Sequence, residues 1–237
     1  MLNPTDDRRN LYSAVRSAEL FLAKLYGFEL DLKCEDFITK IDENLGPHGR
    51  VLVSQQPASS GQEYQSNTEL QLGIEFGAEL VQNLWKKDNS HVSQSLSISS
   101  MAIVIEEVSH FHLLTHAAFT QNPVSLLELE ILGEIDRFVS LLYWNSWNNI
   151  FPLSKSWTNI SQLCEELFGG IRFQKQTDPI YFQAETSAFK HLKSAFECIW
   201  DHSNLDVSFV PIKTINYLRN LRCQFLGCQA ELLPLSA

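Results

Sequence analysis

Two consecutive apolar helices with acids and a histidine set into their oily faces constrain this chain more than any other feature. Ser97 to Ala118 has helical spacing, with Ser99 and Ser100 available as caps, and Asn122-Pro123 breaks it. On that helix Ile103, Glu107, His110 and Leu114 share one stripe, and Glu106, His110 and Leu113 an overlapping one. Ser125 followed by Glu128 is a capping-box pattern that opens a second helix, from about Leu126 to Tyr143. There Leu127, Ile131, Glu134, Phe138 and Leu141 fall on one line, with Glu130 a turn before Glu134 and Asp136 two residues after it. The short connection predicts antiparallel neighbours, so carboxylates and an imidazole from both helices face a shared interior. Burying them is costly without partners, which leaves a metal-ligand set or a buried hydrogen-bond network.

Around this pair the pattern is mostly helical. Asn10 to Tyr26 repeats apolar residues at three and four and stops at Gly27, and Glu35 to Leu45 reads as a helix ending at Gly46-Pro47. Leu70 to Lys86 fits a helix better than a strand, and further helices are expected at Ser156 to Leu167, Thr186 to Trp200 and Pro211 to Leu226. Strand patterns are short, at Phe28 to Leu32 and Arg50 to Ser54, with a Ser, Gly and Gln-rich loop from Pro57 to Gln65. The expected fold is therefore mainly α (α+β): one domain over residues 1–237, a small sheet or hairpin in the first third, the helix pair at 97–143, and a seam near 169–179 if the chain divides.

Composition removes several classes of function. At 237 residues, 44% hydrophobic, the chain is long enough to bury a core. The formal net charge of -10 is spread along the chain and repels a phosphate backbone. Arg8-Arg9, Lys86-Lys87, and Arg219 with Arg222 read as solvated helix surface, and no nucleic-acid partner is expected. Met1 to Asn10 lacks the apolar core of a signal peptide, and no run approaches the ~20 apolar residues of a membrane span. Five cysteines without a Cys-x-x-Cys pair read as reduced, buried thiols, and the expected location is cytoplasmic. Cys223 and Cys228, five apart, do not stack on one helix face. Phosphate loops, dinucleotide fingerprints and nucleophile elbows are absent from the sequence.

Glu106-Glu107-Val-Ser-His110-Phe resembles the zincin helix His-Glu-x-x-His with its first histidine replaced by Glu. Leu129-Glu130-Ile-Leu-Gly-Glu134-Ile-Asp136-Arg-Phe138 is similar to the Glu-Ala-Asp/Asn-x-Phe-Ala segment of short gluzincin metallopeptidases of the ImmA/IrrE type. The resemblance covers Ile103 to Leu142. It implies Glu107 as general base, His110 and Glu134 as metal ligands, Glu106 in the first-histidine position, and one divalent metal (zinc, iron or manganese). A carboxylate in place of an imidazole adds negative charge and makes a poorer Lewis acid. Glu107-x-x-His110 is also the repeated step of carboxylate-bridged iron proteins, but the second such step is missing: His191 and Glu197 are six apart and in the wrong order.

Two functions of different class fit these residues, and whether the chain is an enzyme stays open. One is a degenerate zincin-like protein, without conventional peptidase activity, that acts by binding a protein partner. Trp144, Trp147 and Trp157 supply aromatic anchors if exposed and core if buried. The other is an atypical metal-dependent hydrolase built on Glu106, His110 and Glu134. His112 and His116, four apart, form a second face whose simplest role is a cation at a helix C-terminus.

Overall fold

The structure is a computed structural model that describes residues 4–28, 32–57, 68–87, 94–147, 153, 160–169, 177–197 and 210–228. Its chain order begins with α1 (Pro4–Tyr26), whose buried stripe of Leu11, Val15, Ala18 and Leu22 faces the interior. The helix stops at Gly27, which has a φ of 73° and whose N–H closes on the Ala23 carbonyl at 2.7 Å. A short 3-10 turn (Cys34–Phe37) leads into β1 (Ile38–Asp42). β2 (Gly49–Pro57) and β3 (Thr68–Gly77) pair antiparallel, and β1 lies parallel on the other side of β3. The sheet order is β1-β3-β2, which leaves β2 at an edge.

α2 (Ala78–Asn83) and a small antiparallel ribbon of β4 (Trp85–Lys87) and β5 (Gln94–Leu96) follow. The remaining described elements are helices: α3 (Ile98–Thr120), α4 (Leu126–Trp147), α5 (Ile160–Phe168), α6 (Pro179–Ala195) and α7 (Ile212–Leu226). The fold is mainly α with a small three-stranded sheet near the N-terminus. Among the described residues no helix is long and apolar enough to cross a membrane.

Two stretches expected to be helical are not. Residues 35–45 form the 3-10 turn and β1, and residues 70–77 are β3. In β3 the apolar residues Leu70, Leu72, Ile74 and Phe76 strictly alternate with Glu69, Gln71, Gly73 and Glu75, and Ile74 and Phe76 are fully buried. That period of two outweighs the helical spacing that continues into α2. The strand expected at 28–32 falls largely on residues outside the described set, as does most of the loop expected at 57–65. α3 is flanked by Ser97 without a side-chain cap bond. α4 has the full capping box: Ser125 N–H donates to Glu128 Oε2 at 2.8 Å, and Glu128 N–H to Ser125 Oγ at 3.2 Å.

α3 and α4 form the centre. Every residue of α4 from Glu130 to Trp144 is buried, the pattern of a helix covered on all sides. Contacts between the two run in opposite senses: Glu106 reaches Arg137, Ser109 reaches Asp136, and His110 reaches Glu130. The helices are thus antiparallel. Trp144 is core; the side chain of Trp147 and all of Trp157 lie outside the described set.

One buried knot ties four helices together. Asp136 of α4, with no exposed surface, accepts hydrogen bonds from Tyr26 Oη of α1, Ser109 Oγ of α3 and Arg222 Nη1 of α7, the last at 2.9 Å. The Arg222 guanidinium also sits 4.4 Å above the Tyr26 ring. Burial, and then the Asp136 charge, push the Tyr26 hydroxyl well above its ordinary pKa, so it stays a donor. Arg219, next along α7, donates from Nε to the Leu25 carbonyl at 3.0 Å. Neither arginine is the solvated helix surface expected from sequence, because this face of α7 packs on the end of α1.

α7 closes on Gly227, at a φ of 63°, with the N–H groups of Gly227 and Cys228 both directed to the Cys223 carbonyl. This Schellman turn folds the chain back, so the Cys223 and Cys228 thiols come together although a straight helix separates them.

Removing one partner from a buried, hydrogen-bonded ion pair costs more than the pair itself contributes. Asp136→Ala is expected to lower the unfolding free energy by about 3–5 kcal/mol and Tyr26→Phe by about 1 kcal/mol. Urea titration checks both, and Asp136→Ala within about 1 kcal/mol of wild type would contradict the role of the knot.

Candidate metal centre

The centre is assembled where α3 crosses α4 beneath the edge strand β2. α3 supplies Glu106, Glu107 and His110, one turn or less apart, and α4 supplies Glu130. Ligand atoms of Glu106, His110 and Glu130 all lie within 4.8 Å of one another. The His110 ring is oriented by two carboxylates: Glu107 Oε2 is 3.7 Å from Nδ1, and Glu130 Oε2 is 3.9 Å from Nε2. His110 is 7% exposed, and its Nε2 is buried without a hydrogen-bond partner among the described residues.

Two glycines make this closeness geometrically feasible. A Cβ at Gly133 of α4 would lie 2.6 Å from His110 Nε2 and 3.4 Å from Glu106 Cγ. A Cβ at Gly49, the first residue of β2, would lie 2.6 Å from Glu107 Cγ. One helix face and one strand end are therefore pared back to backbone where the histidine and glutamates pass.

The carboxylate grouped with Glu106 and His110 is Glu130, whereas the resemblance implies Glu134. Glu134 pairs with Arg137 on its own helix, and Arg137 Nη1 also reaches Glu106 Oε2 at 3.4 Å. In an antiparallel pair, later residues of α3 meet earlier residues of α4. His110 accordingly faces Glu130, and Glu134 falls nearer Glu106. Of the expected residues the structure brings together Glu106, Glu107 and His110, and it places Glu130 where Glu134 was expected. Glu130 was visible in the sequence, one turn before Glu134 on the same face.

The charges around the ring do not balance. Burial alone would depress the His110 pKa, but the adjoining Glu107, then the charges of Glu130 and Glu106, carry it up to about 9. Burial raises Glu130 to about 7 against the pull of His110, helped by Glu106, Glu107 and Glu134. The His110 shift reflects the negative charge gathered around the ring, whereas the Glu130 shift is set first by burial. A buried imidazole nitrogen without a hydrogen-bond partner among the described residues, grouped with two carboxylates, could hold a metal ion.

The centre opens into a cleft of about 840 Å³. Its polar end holds the glutamates and His110, and its walls include Val51, Val53, Ile103, Leu126 and Leu129. Tyr181 of α6 also lines the cleft, and burial followed by the charges of Glu130, Glu106 and Glu107 raises its hydroxyl pKa. Sequence reasoning missed this tyrosine because it began α6 at Thr186. The helix starts at Pro179, and Asp178-Pro179 is the start signal, with proline in the first turn where its missing N–H costs nothing.

The other expected groups lie elsewhere. His112 turns to the opposite side of α3, toward Cys34 and Glu19. His116 is shifted down by burial and by Arg222, against the cationic helix-end role expected of it. Cys164 is a buried thiol that burial pushes up to about 12, consistent with a core role.

The His110 shift sets a pH dependence. Its folded pKa of about 9 lies above the ordinary 6.5, so its contribution is complete below pH 6.5 and is lost as the pH rises through 9. Chelator-treated protein should lose on the order of 2 kcal/mol between pH 7 and 9 through this group, and His110→Gln should lack that fall. Urea midpoints across the range check it; an equal slope in both proteins would contradict the assignment.

The chain matches no family model, no curated protein and no solved structure, so any functional assignment rests on this geometry.

Proposed function

We propose that the protein is a zincin-like divalent-metal protein and that its cleft carries out atypical, metal-dependent hydrolysis. The observation that carries this is the buried His110 Nε2, which has no hydrogen-bond partner among the described residues and lies with Glu106 and Glu130 in the lining of an open cleft. Glu106, His110 and Glu130 would hold the ion. A divalent metal there supplies Lewis acidity toward a substrate oxygen.

The remaining work falls to the chain's own groups. Glu107 lines the cleft next to the ligand histidine and is placed to accept a proton from an attacking water and pass it to a leaving group. Tyr181, whose hydroxyl pKa is raised by burial and then by the nearby carboxylates, can donate a hydrogen bond to an oxygen on which charge develops. Arg137 neutralises Glu134 and steadies Glu106, so a ligand carboxylate does not swing away. The apolar walls exclude water from the bond to be broken and favour a substrate with an apolar group next to it.

A second function, a non-hydrolytic scaffold for a protein partner, is favoured by one specific observation. Two carboxylates with one imidazole make a weak Lewis acid, and the cleft mouth carries exposed apolar side chains, Val53 at 50% and Leu126 at 48%. One substitution separates the two. Glu107→Gln should retain bound metal and fold while lowering kcat at least 100-fold on a generic peptide or ester library with zinc or manganese supplied. If the wild type shows no turnover above Glu107→Gln with any metal, hydrolysis is excluded and the scaffold stands.

A further inference from the structure

We propose that Glu19, Cys34 and His112 form a second metal site, for zinc or a similar borderline-soft divalent ion, that pins α1 and the 3-10 turn to α3. It lies apart from the first centre: His110 and His112 are two residues apart on one helix, so their side chains diverge to different faces. Three elements distant in sequence each contribute one donor of a different kind, and the carboxylate oxygen, thiol sulfur and imidazole nitrogen lie within 4.8 Å of one another. Glu19 and Cys34 have no exposed surface.

The distances suit a shared ion as well as the hydrogen bonds that His112 and Cys34 each make to Glu19. His112 Nε2 is 3.3 Å from Cys34 Sγ and 3.4 Å from Glu19 Oε1. Without an ion the Glu19 carboxylate takes both groups as donors; with one, carboxylate oxygen, thiolate and ring nitrogen each turn a lone pair to the metal. Tetrahedral zinc with ordinary bond lengths sets pairs of nitrogen, oxygen and sulfur ligands roughly 3.3–3.6 Å apart. Both measured separations fall in that range, and an ion at the centre meets all three groups together.

The surroundings are those of a supported ligand set. Arg16 Nη1 binds the far oxygen of Glu19 at 2.5 Å, and Cys34 N–H donates to Oε1 at 2.8 Å, so the carboxylate is held in place and its near oxygen keeps a lone pair facing the cluster. The His112 ring lies between Phe28 and Phe111, at centroid distances of 5.0 and 5.6 Å, which fixes its plane in a dry shell. A thiolate among the donors selects zinc over magnesium or calcium. On binding, the sulfur–metal bond forms as the Cys34 S–H proton leaves to solvent, with no change in oxidation state.

Cobalt(II) titration of the full chain, purified without a histidine tag under reducing conditions, tests this. A cobalt–thiolate charge-transfer band in the near ultraviolet should develop with about one equivalent of cobalt assigned to this site. It should vanish in Cys34→Ser, fall at least tenfold in His112→Ala, and persist both in His110→Ala and in the Cys223→Ser, Cys228→Ser double variant. A variant with Cys34 as its sole cysteine should keep the band, which covers the case in which Cys34→Ser does not fold. Absence of the band in wild type overturns the proposal. So does its survival in folded Cys34→Ser or its loss in the sole-Cys34 variant. Because the first centre contains no sulfur, its failure to bind metal would leave this band unchanged.

Discussion

A carboxylate buried between helices must find donors or a cation, and that requirement organises this molecule. Asp136 meets it with three protein donors from three helices, and the four elements it joins are thereby fixed in relative position. Glu134 meets it with Arg137, and Glu19 with Arg16 and a backbone N–H. At Glu106, His110 and Glu130 the protein's own groups fall short: Arg137 is shared between two glutamates, and Nε2 has no hydrogen-bond partner among the described residues. The same physical rule that explains the core makes this cluster one that could hold a cation.

The architecture and the site are coupled through α3 and α4. α4 buries every residue along its middle, so its polar groups cannot escape to solvent, and antiparallel packing decides which of them meet. Asp136 and Arg137 are adjacent in sequence but serve different sides of the helix, one the structural knot and the other the glutamates. β2 contributes little chemistry of its own, yet the lack of a side chain at Gly49 brings the sheet edge down over Glu107 and forms one lip of the cleft. The long helices make these distances precise, because each donor projects from a rigid element with a buried neighbour.

Much of this was legible in the sequence where one period dominates. The helices around Ile103 and Phe138, the capping box at Ser125 and the stops at Gly27 and Gly227 follow from local spacing and cap chemistry. Residues 70–77 were misread because a strand runs directly into a short helix and a wide window averages the two periods. The exchange of Glu130 for Glu134 depends on the register of two helices, which neither sequence states alone. Arg222 reads as surface until Asp136 and Tyr26 are seen beneath it, and Cys228 reads as remote from Cys223 until the Gly227 turn reverses the chain. Long-range partners of this kind are set by packing, and periodicity carries no trace of them.

Glu130 and Glu134 lie one turn apart and differ, in this account, in their partners: Glu134 has the Arg137 guanidinium, and Glu130 has the titratable His110 ring that the metal would take over. Equilibrium dialysis against zinc or manganese of wild type, Glu130→Gln and Glu134→Gln, each confirmed as folded, therefore tests the central claim directly. The account predicts that Glu130→Gln binds about one equivalent less than wild type at a concentration that saturates the centre, while Glu134→Gln keeps the wild-type stoichiometry. Equal binding by wild type and Glu130→Gln, or loss that follows Glu134→Gln instead, would contradict it.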